Sequence, residues 1–213
     1  MANKQRIRYK TYCRSICLLM LTFPSCNDQT QNSISEVSAS SADLTAKMRQ
    51  APRLVEATIA KLQESLRAGN FTCRDVVQGY FNRIATYDRP AGINAITETN
   101  SKALRRVDEI DADLAKGIEM PPLFCAPLLV KDNFDTADMV TSGGAIALRN
   151  SVPEDDAFMI RKLRDAGAIV LAKTNMAEWA FSPRESISSS YGRTANAYDV
   201  NYVPAGSSGG TAS

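Results

Sequence analysis

The chain has 213 residues, of which 44% are hydrophobic and 23% are charged. This composition is typical of a globular protein long enough to bury one hydrophobic core. It contains no histidine, which excludes a Ser-His-Asp or Cys-His mechanism, and a histidine-based zinc site, built from these residues alone.

The first 26 residues have the pattern of an export signal. Five basic residues and no acidic residue precede the apolar run Ile16–Phe23, which is too short to span a bilayer. A small residue, Ser25, then leads to Cys26, as in a bacterial lipoprotein signal. The pattern predicts a protein that is exported to the periplasm or the outer surface of a bacterium, with Cys26 as the lipidation candidate. A plain secretory signal, or a chance resemblance in a cytosolic protein, is the alternative.

The net charge changes when the predicted export signal is left out of the count. Residues 1–26 carry five of the 25 Lys and Arg and none of the 23 Asp and Glu, so the remainder has a net charge of −3. The basic balance is therefore no evidence for nucleic-acid binding, and we expect no nucleic-acid partner. Residues 27–50 are rich in Ser, Gln, Asn and Thr, which predicts a flexible polar tether.

The first half of the remaining chain has helical spacing. A helix is predicted from Pro52 to Gly69, with Val55, Ile59, Leu62 and Leu66 on one face. Thr72 can cap a second helix. A short strand at Ile93–Glu98 and a third helix at Ser101–Lys116 follow.

The second half alternates between strands and helices. We predict a strand at Ala126–Phe134, buried on both faces, a helix at Val152–Ala168 with acidic residues in its first turn, a strand at Ile169–Asn175 and a short helix at Met176–Ser182. A strand, a helix and a strand in this order indicate a βαβ unit with parallel strands. The sequence therefore predicts an α/β protein in which the helices of the first half cover the sheet.

The body of the chain has two cysteines, Cys73 and Cys125. We expect two buried free thiols, and one disulfide is the alternative in an oxidising compartment.

Polar residues with catalytic potential follow the predicted strands. Lys131 follows the apolar run Pro127–Val130, and Asp132 should point to the opposite face of the strand. Burial would lower the pKa of Lys131 and make it a base, although a lysine at a strand end can also extend into solvent. Thr174 and Asn175 follow the run Ile169–Lys173, and the loop "AGSSGG" ends without the "GK[ST]" of a phosphate-binding P-loop. Without histidine, a Ser-Lys pairing is the remaining way to activate a serine.

Four segments occur in a specific order: "PLLVKDNFDT", "DAGAIVLAKTNMAEWAF", "YGRTANAYD" and "PAGSSGGTAS". With their surroundings, from about Thr58 to Ser213, they resemble the amidase signature family of serine hydrolases. The resemblance implies an α/β amidase-signature fold with a mixed sheet core flanked by helices, incomplete in this chain. Residues 51–213 would be the N-terminal part of an amidase domain.

The family resemblance also implies a Ser-Ser-Lys triad that needs no metal and no cofactor. Lys131 matches the buried lysine base, and Ser207 matches the bridging serine that passes the proton between lysine and nucleophile. Gly206–Ser207 is the expected cis peptide bond. The supporting loop would be Gly206, Ser208, Gly209 and Gly210, with Ser208 contributing hydrogen bonds.

The nucleophile and the oxyanion hole of the family lie about two dozen residues after the bridging serine, beyond Ser213. The implied function is hydrolysis of carboxamide C–N bonds in a small-molecule or peptide substrate, with the 213 residues alone inactive. The membrane would be contacted only through the N-terminal lipid. A non-catalytic truncated product and the amidase subunit of a glutamine-dependent tRNA amidotransferase are the alternatives. The segment "AEWAFSPRES" favours members that act on peptides or small amides.

Overall fold

The computed structural model describes residues 52–213. The predicted export signal, the tether and Cys26 lie outside the described residues. The helices are α1 (Ile59–Arg67), α2 (Cys73–Tyr87), α3 (Ala103–Ala115), α4 (Phe158–Asp165) and α5 (Gly209–Ala212). The strands are β1 (Ile96–Thr99), β2 (Pro127–Lys131), β3 (Ile169–Thr174), β4 (Ile187–Ser188) and β5 (Gly192–Arg193). None of the helices in this part of the chain is long and apolar enough to cross a membrane.

A mixed three-stranded sheet with the order β1-β3-β2 lies at the centre. Strands β2 and β3 are parallel and are joined through α4, so the predicted βαβ unit is confirmed. Strand β1 pairs with β3 in the antiparallel direction. Because β2 and β3 run in the same direction, their carboxyl ends meet at one edge, where Lys131 lies beside Thr174.

Hydrophobic residues cover both faces of β3, as its fully buried pattern requires. On one face, α1, α2 and α3 pack against Ile169 and Leu171. On the other, Val170 packs with Val130 of β2 and Ile160 of α4. The predicted layer of helices over the sheet is therefore present.

Strand β2 differs from the expectation of burial on both faces, because Leu129 is 41% exposed. The reason is topological: in the described sheet β2 has a neighbour on one side only. An apolar run in the sequence does not distinguish a central strand from an edge strand, and the expectation was wrong for β2.

Two helices begin later than their patterns predict. Helix α1 begins at Ile59, where the side chain of Thr58 accepts a hydrogen bond from Lys61 N–H, and Val55 is 60% exposed. Helix α4 begins at Phe158, so the acidic residues expected in its first turn lie before it. One of them, Asp156, instead accepts a hydrogen bond from Ala137 N–H and pairs with Arg164 at 3.0 Å.

The short helix expected at Met176–Ser182 is a single 3₁₀ turn, Glu178–Ala180. Trp179 within it has φ 54° and Ala180 has φ 57°, so the backbone is left-handed there and cannot continue a right-handed helix. The N-cap at Thr72 is present as predicted, and Asp75 completes a capping box.

The cysteines form a disulfide rather than two free thiols. Cys73 at the start of α2 is bonded to Cys125, with 5.7 Å between their Cα atoms. The expectation of free thiols was wrong because no local pattern indicates that the loop before β2 packs against the first turn of α2. The bond fixes the helical layer to the residue two positions before β2 begins.

Candidate active site

The end of β2 and the Gly/Ser loop meet through one hydrogen bond. The Lys131 ammonium donates to the Ser207 hydroxyl oxygen, with 2.7 Å between Nζ and Oγ. Both residues are half-buried. No carboxylate forms an ion pair with Lys131 among residues 52–213. The predicted Ser-Lys pairing thus corresponds to two side chains in direct contact, 76 residues apart in sequence.

Burial lowers the pKa of Lys131 below that of an ordinary lysine. No opposing charge is involved in this shift, because desolvation is its cause. A larger share of Lys131 is therefore in the neutral form that accepts a proton.

The neighbouring carboxylate, Asp132, points away from Lys131, as the alternation of a strand predicts. Asp132 is fully buried and accepts hydrogen bonds from Ser142 Oγ at 2.5 Å and from Gly144 N–H at 2.9 Å. Its own N–H donates to the Thr174 carbonyl oxygen at 3.0 Å. Asp132 therefore fixes the turn after β2 and leaves Lys131 without a charged partner among residues 52–213.

The glycines of the loop are explained by how closely its backbone approaches the rest of the protein. Gly210 N–H donates to the Asn175 carbonyl oxygen, and a Cβ on Gly210 would lie 2.5 Å from the Ala95 carbonyl oxygen. A Cβ on Gly206 would collide with the carbonyl oxygens of Ser182 and Glu185. The Gly206–Ser207 peptide bond is cis, as the resemblance implies. The dense Gly/Ser run is thus a loop seated against the end of β3.

Ser186, a residue that sequence reasoning missed, holds this loop. It is fully buried, donates to the Ala205 carbonyl oxygen at 3.0 Å and accepts from Gly209 N–H at 2.9 Å. The Ser208 hydroxyl, expected to hold the loop, has no hydrogen-bond partner among the described residues, and the Ser208 carbonyl accepts from Thr211 N–H and Ala212 N–H. Ser186 lies in an irregular polar segment, so no periodicity in the sequence marks it.

Asn175, noted in the sequence only for its place after β3, connects three segments. Its amide donates to the Gly192 carbonyl oxygen and to Thr194 Oγ1, each at 3.0 Å. Its side-chain oxygen accepts from Ser188 Oγ at 2.9 Å. Asn175 therefore holds the β4–β5 hairpin against the strand end that supports the loop.

A second lysine, Lys173, was not identified from the sequence. It is fully buried on β3 and donates to the Phe134 carbonyl oxygen at 2.6 Å, to Thr141 Oγ1 at 2.8 Å and to Thr136 Oγ1 at 3.3 Å. Desolvation lowers its pKa to about 8, against the opposing effect of nearby carboxylates, Asp132 first among them. Lys173 thus anchors the loop that begins immediately after Lys131.

An apolar groove reaches the Lys131–Ser207 pair. It has a volume of about 290 Å³, and Lys131 and Ser208 form part of its wall. The apolar wall is formed by side chains from β2, α4 and the loop between them, namely Leu128, Val130, Phe134, Met159 and Leu163. The pair therefore lies at the border between the apolar wall of the groove and its polar residues.

Fold and site together describe an α/β protein that places a lysine, with a lowered pKa, against a serine at the carboxyl end of a parallel strand. Comparison with known proteins identifies the family. Residues 75–213 match the family model described as Amidase. The chain belongs to the amidase family, the amidase signature enzymes.

Relatives of known sequence agree with this assignment. Over 161 residues the chain is 38% identical to a glutamyl-tRNA(Gln) amidotransferase subunit of Natranaerobius thermophilus, a match that covers 75% of this chain and 32% of the relative. It is 34% identical over 164 residues to a putative amidase of Schizosaccharomyces pombe, covering 75% of this chain and 28% of that protein. The chain thus spans about a third of the length of the curated relatives it matches.

Solved structures show the same fold. The peptide amidase of Stenotrophomonas maltophilia is 42% identical with a TM-score of 0.70, over 74% of this chain and 33% of that one. An amidase family protein of Bacillus anthracis is 31% identical with a TM-score of 0.69, over 74% of this chain and 32% of that one. The predicted α/β amidase-signature fold is therefore confirmed, for the part of the fold that the chain covers.

Proposed function

We propose that residues 52–213 supply the base and the bridging serine of an amidase that hydrolyses carboxamide C–N bonds. The single observation that carries this proposal is the hydrogen bond of 2.7 Å between Lys131 Nζ and Ser207 Oγ. In this proposal neutral Lys131 accepts a proton from Ser207, and Ser207 accepts one from the serine that attacks the amide carbonyl. The loop anchors at Gly206, Gly209 and Gly210 keep Ser207 in place.

The attacking serine and the oxyanion hole of this proposal are not assigned to any described residue. Loss of one oxyanion donor alone costs ~10²–10³ in rate. We therefore expect the 213 residues by themselves to give no amide turnover, and the proposed activity is that of a polypeptide that also contains the rest of the fold.

A chimera tests the proposal directly. Residues 52–213 would replace the matching third of the Stenotrophomonas maltophilia peptide amidase, to which they are 42% identical. In an active chimera, Lys131→Ala and Ser207→Ala should each lower kcat by ~10²-fold or more, because general-base catalysis contributes ~10²–10⁴-fold.

Matched controls exist on the surface of the same chain. Lys116→Ala and Ser101→Ala remove exposed side chains of the same types and should leave kcat unchanged. Turnover close to that of the unmodified chimera after Lys131→Ala, with the fold intact by circular dichroism, would reject the role of Lys131.

The proposed substrate is a peptide or small-molecule carboxamide, without metal or cofactor. The support is the groove beside the pair, whose wall is mostly apolar. The amidase subunit of a tRNA amidotransferase is the second candidate, supported by the 38% identity to a protein of that kind. Hydrolysis of a dipeptide amide by the chimera, compared with release of ammonia from glutamine, separates the two. A chimera that hydrolyses neither would favour the third candidate, a non-catalytic product.

We further propose an exported protein that contacts the membrane only through a lipid on Cys26. The Cys73–Cys125 disulfide supports export, because disulfides persist in oxidising compartments and are rare in the cytosol. In a bacterial host, labelled palmitate should be incorporated into the chain and lost in Cys26→Ser. A product that stays in the cytosol and carries no label would overturn both the export and the lipidation of Cys26.

A further inference from the structure

We propose that Ser207, paired with Lys131, is itself a nucleophile that takes an acyl group from activated esters, in the absence of any further catalytic serine. This goes beyond the proposed function, in which Ser207 only passes a proton. It rests on the same Lys131–Ser207 contact but requires no residue outside the described part of the chain.

The geometry of the pair meets the requirement for an activated serine. A serine becomes nucleophilic when a base lies within hydrogen-bond distance of its hydroxyl, and Nζ to Oγ is 2.7 Å. Lys131 has no carboxylate partner in residues 52–213 that would hold it as a permanent cation, and its pKa is lowered by burial. Ser207 is half-buried, so part of its surface is open to solvent.

The groove beside the pair defines the class of acyl group. Its wall contains Ser208 and Lys131, and Lys131 Nζ lies 2.7 Å from Ser207 Oγ. The remaining wall is mainly apolar, contributed by Leu128 of β2 and by Met159 and Leu163 of α4. A short alkyl chain fits this surface, whereas a charged acyl group would lose its hydration there.

The chemical step balances without any further reactant. Ser207 Oγ attacks the carbonyl carbon of a p-nitrophenyl ester, and its proton passes to Lys131 Nζ. The bond from the carbonyl carbon to the aryl oxygen breaks, p-nitrophenolate leaves, and the proton on Lys131 passes to solvent. The products are an ester on Ser207, p-nitrophenolate and a proton. An activated ester is required because an amide has a much poorer leaving group and no oxyanion donor has been assigned here.

The test uses the whole 213-residue chain with p-nitrophenyl butyrate, followed by peptide mapping with mass spectrometry. We expect one butyryl group per chain on Ser207, none on that peptide in Ser207→Ala, and release of the group by hydroxylamine, which cleaves esters and leaves amides. Lys131→Met should slow the labelling by about a hundredfold, as expected for loss of a general base. Lys116→Met and Ser101→Ala, at exposed positions, should label at the unmodified rate.

A second measurement tests the groove. The butyrate ester has two more CH₂ groups than the acetate ester, and at ≈ 0.8 kcal/mol for each buried CH₂ it should acylate Ser207 about fifteenfold faster. Met159 is 58% exposed, so Met159→Glu should fold normally and reduce this preference. An unchanged ratio would overturn the assignment of the groove as the acyl site.

Three results would overturn the nucleophile itself: no adduct, an adduct on the Lys131 amine, or labelling of Ser207 that persists in a folded Lys131→Met variant. Circular dichroism that matches the spectrum of the unmodified chain serves as the check that each variant is folded. A chimera that needs Lys131 and Ser207 for amide hydrolysis, combined with an unreactive Ser207 in this chain, rejects this inference and keeps the proposed function. Acylation of Ser207 in this chain, combined with a chimera whose amide hydrolysis does not need Lys131 and Ser207, rejects the proposed function and keeps this inference.

Discussion

Strands β2 and β3 run side by side and each carries a lysine near its carboxyl end, but the two lysines differ in almost every physical respect. Lys173 is fully buried and donates to three neutral oxygens of one loop. Lys131 is half-buried and donates to one hydroxyl, that of Ser207. The register places Val130 beside Lys173 and Lys131 beside Thr174, so the two lysines are offset by one residue.

The position of the strand in the sheet explains the difference. Strand β3 has a neighbour on each side and a hydrophobic layer on both faces, so a cation on it must be satisfied by groups that fold over it. Strand β2 lies at the edge of the described sheet, and the groove beside it keeps Lys131 within reach of ligands. The same residue type is therefore sequestered on the central strand and kept accessible at the edge of the described sheet.

The greatest loss of stability should follow removal of the disulfide, because Cys125 fixes the chain just before the edge strand β2. Its cysteines are 52 residues apart, and closing a loop of that size stabilises a protein by about 4 kcal/mol in the chain-entropy model. The double substitution Cys73→Ala and Cys125→Ala should lower the free energy of unfolding by about that amount, as measured in urea. Dithiothreitol should lower it in the parent and have no effect in the double variant; equal stability of all samples would show that β2 does not depend on this bond.

The next largest effect is a change in the free energy of unfolding with pH, which we expect for Lys173 more than for Lys131. The folded pKa of Lys173 is about 8, against an ordinary value of 10.5. Between these values the unfolded chain binds more protons than the folded chain, so this group makes stability rise with pH. The parent should gain up to about 3 kcal/mol relative to Lys173→Met between pH 7 and pH 10.

The same titration of Lys131→Met is the matched comparison, since Lys131 is more exposed. A stability difference between the parent and Lys173→Met that stays constant over this range would show that Lys173 titrates like a surface lysine. Burial on the central strand would then not lower the pKa of its lysine.

A smaller effect concerns the loop that holds Ser207, the hydrogen-bond partner of Lys131. Ser186→Ala removes the hydrogen bonds to Gly209 N–H and to the Ala205 carbonyl, which should lower the free energy of unfolding by about 1–3 kcal/mol. Acylation of Ser207 should slow as well, because the loop is no longer held beside β2. Stability and labelling that both match the parent would place the anchor of this loop elsewhere, and Ser101→Ala provides the exposed serine for comparison.

The least change in stability is expected for Lys131→Met. The side chain forms one hydrogen bond and no ion pair among the described residues, so the free energy of unfolding should change by no more than about 0.5 kcal/mol. Calorimetry beside Lys116→Met, an exposed lysine that directly follows α3, measures this. A loss of several kcal/mol would mean that Lys131 is a structural residue like Lys173, and the comparison of the two strands would fail.

The order of the elements was predictable from the sequence, and their ends were less so. Periodic hydrophobic spacing predicted α2, α3 and the βαβ unit, because burial of one face requires that spacing. The start of α4 was placed too early, since the spacing does not show that Asp156 is used by a loop and by Arg164. The disulfide was missed because pairing depends on the distance between Cys73 and Cys125 in the fold, and not on their separation in the chain.

The candidate site was also predictable only in part from the sequence. Residue type and spacing were enough to predict the order of the segments and a Ser-Lys pairing, and the family that the segments resemble implied that the pair is Lys131 and Ser207. The folded chain was needed to show that Lys131 lies at the edge of the described sheet beside a groove, that Lys173 is sequestered, and that Ser186 and Asn175 hold the loop. These features depend on contacts between residues far apart in the chain, and such contacts exist only once the strands have paired and the loops have closed over them.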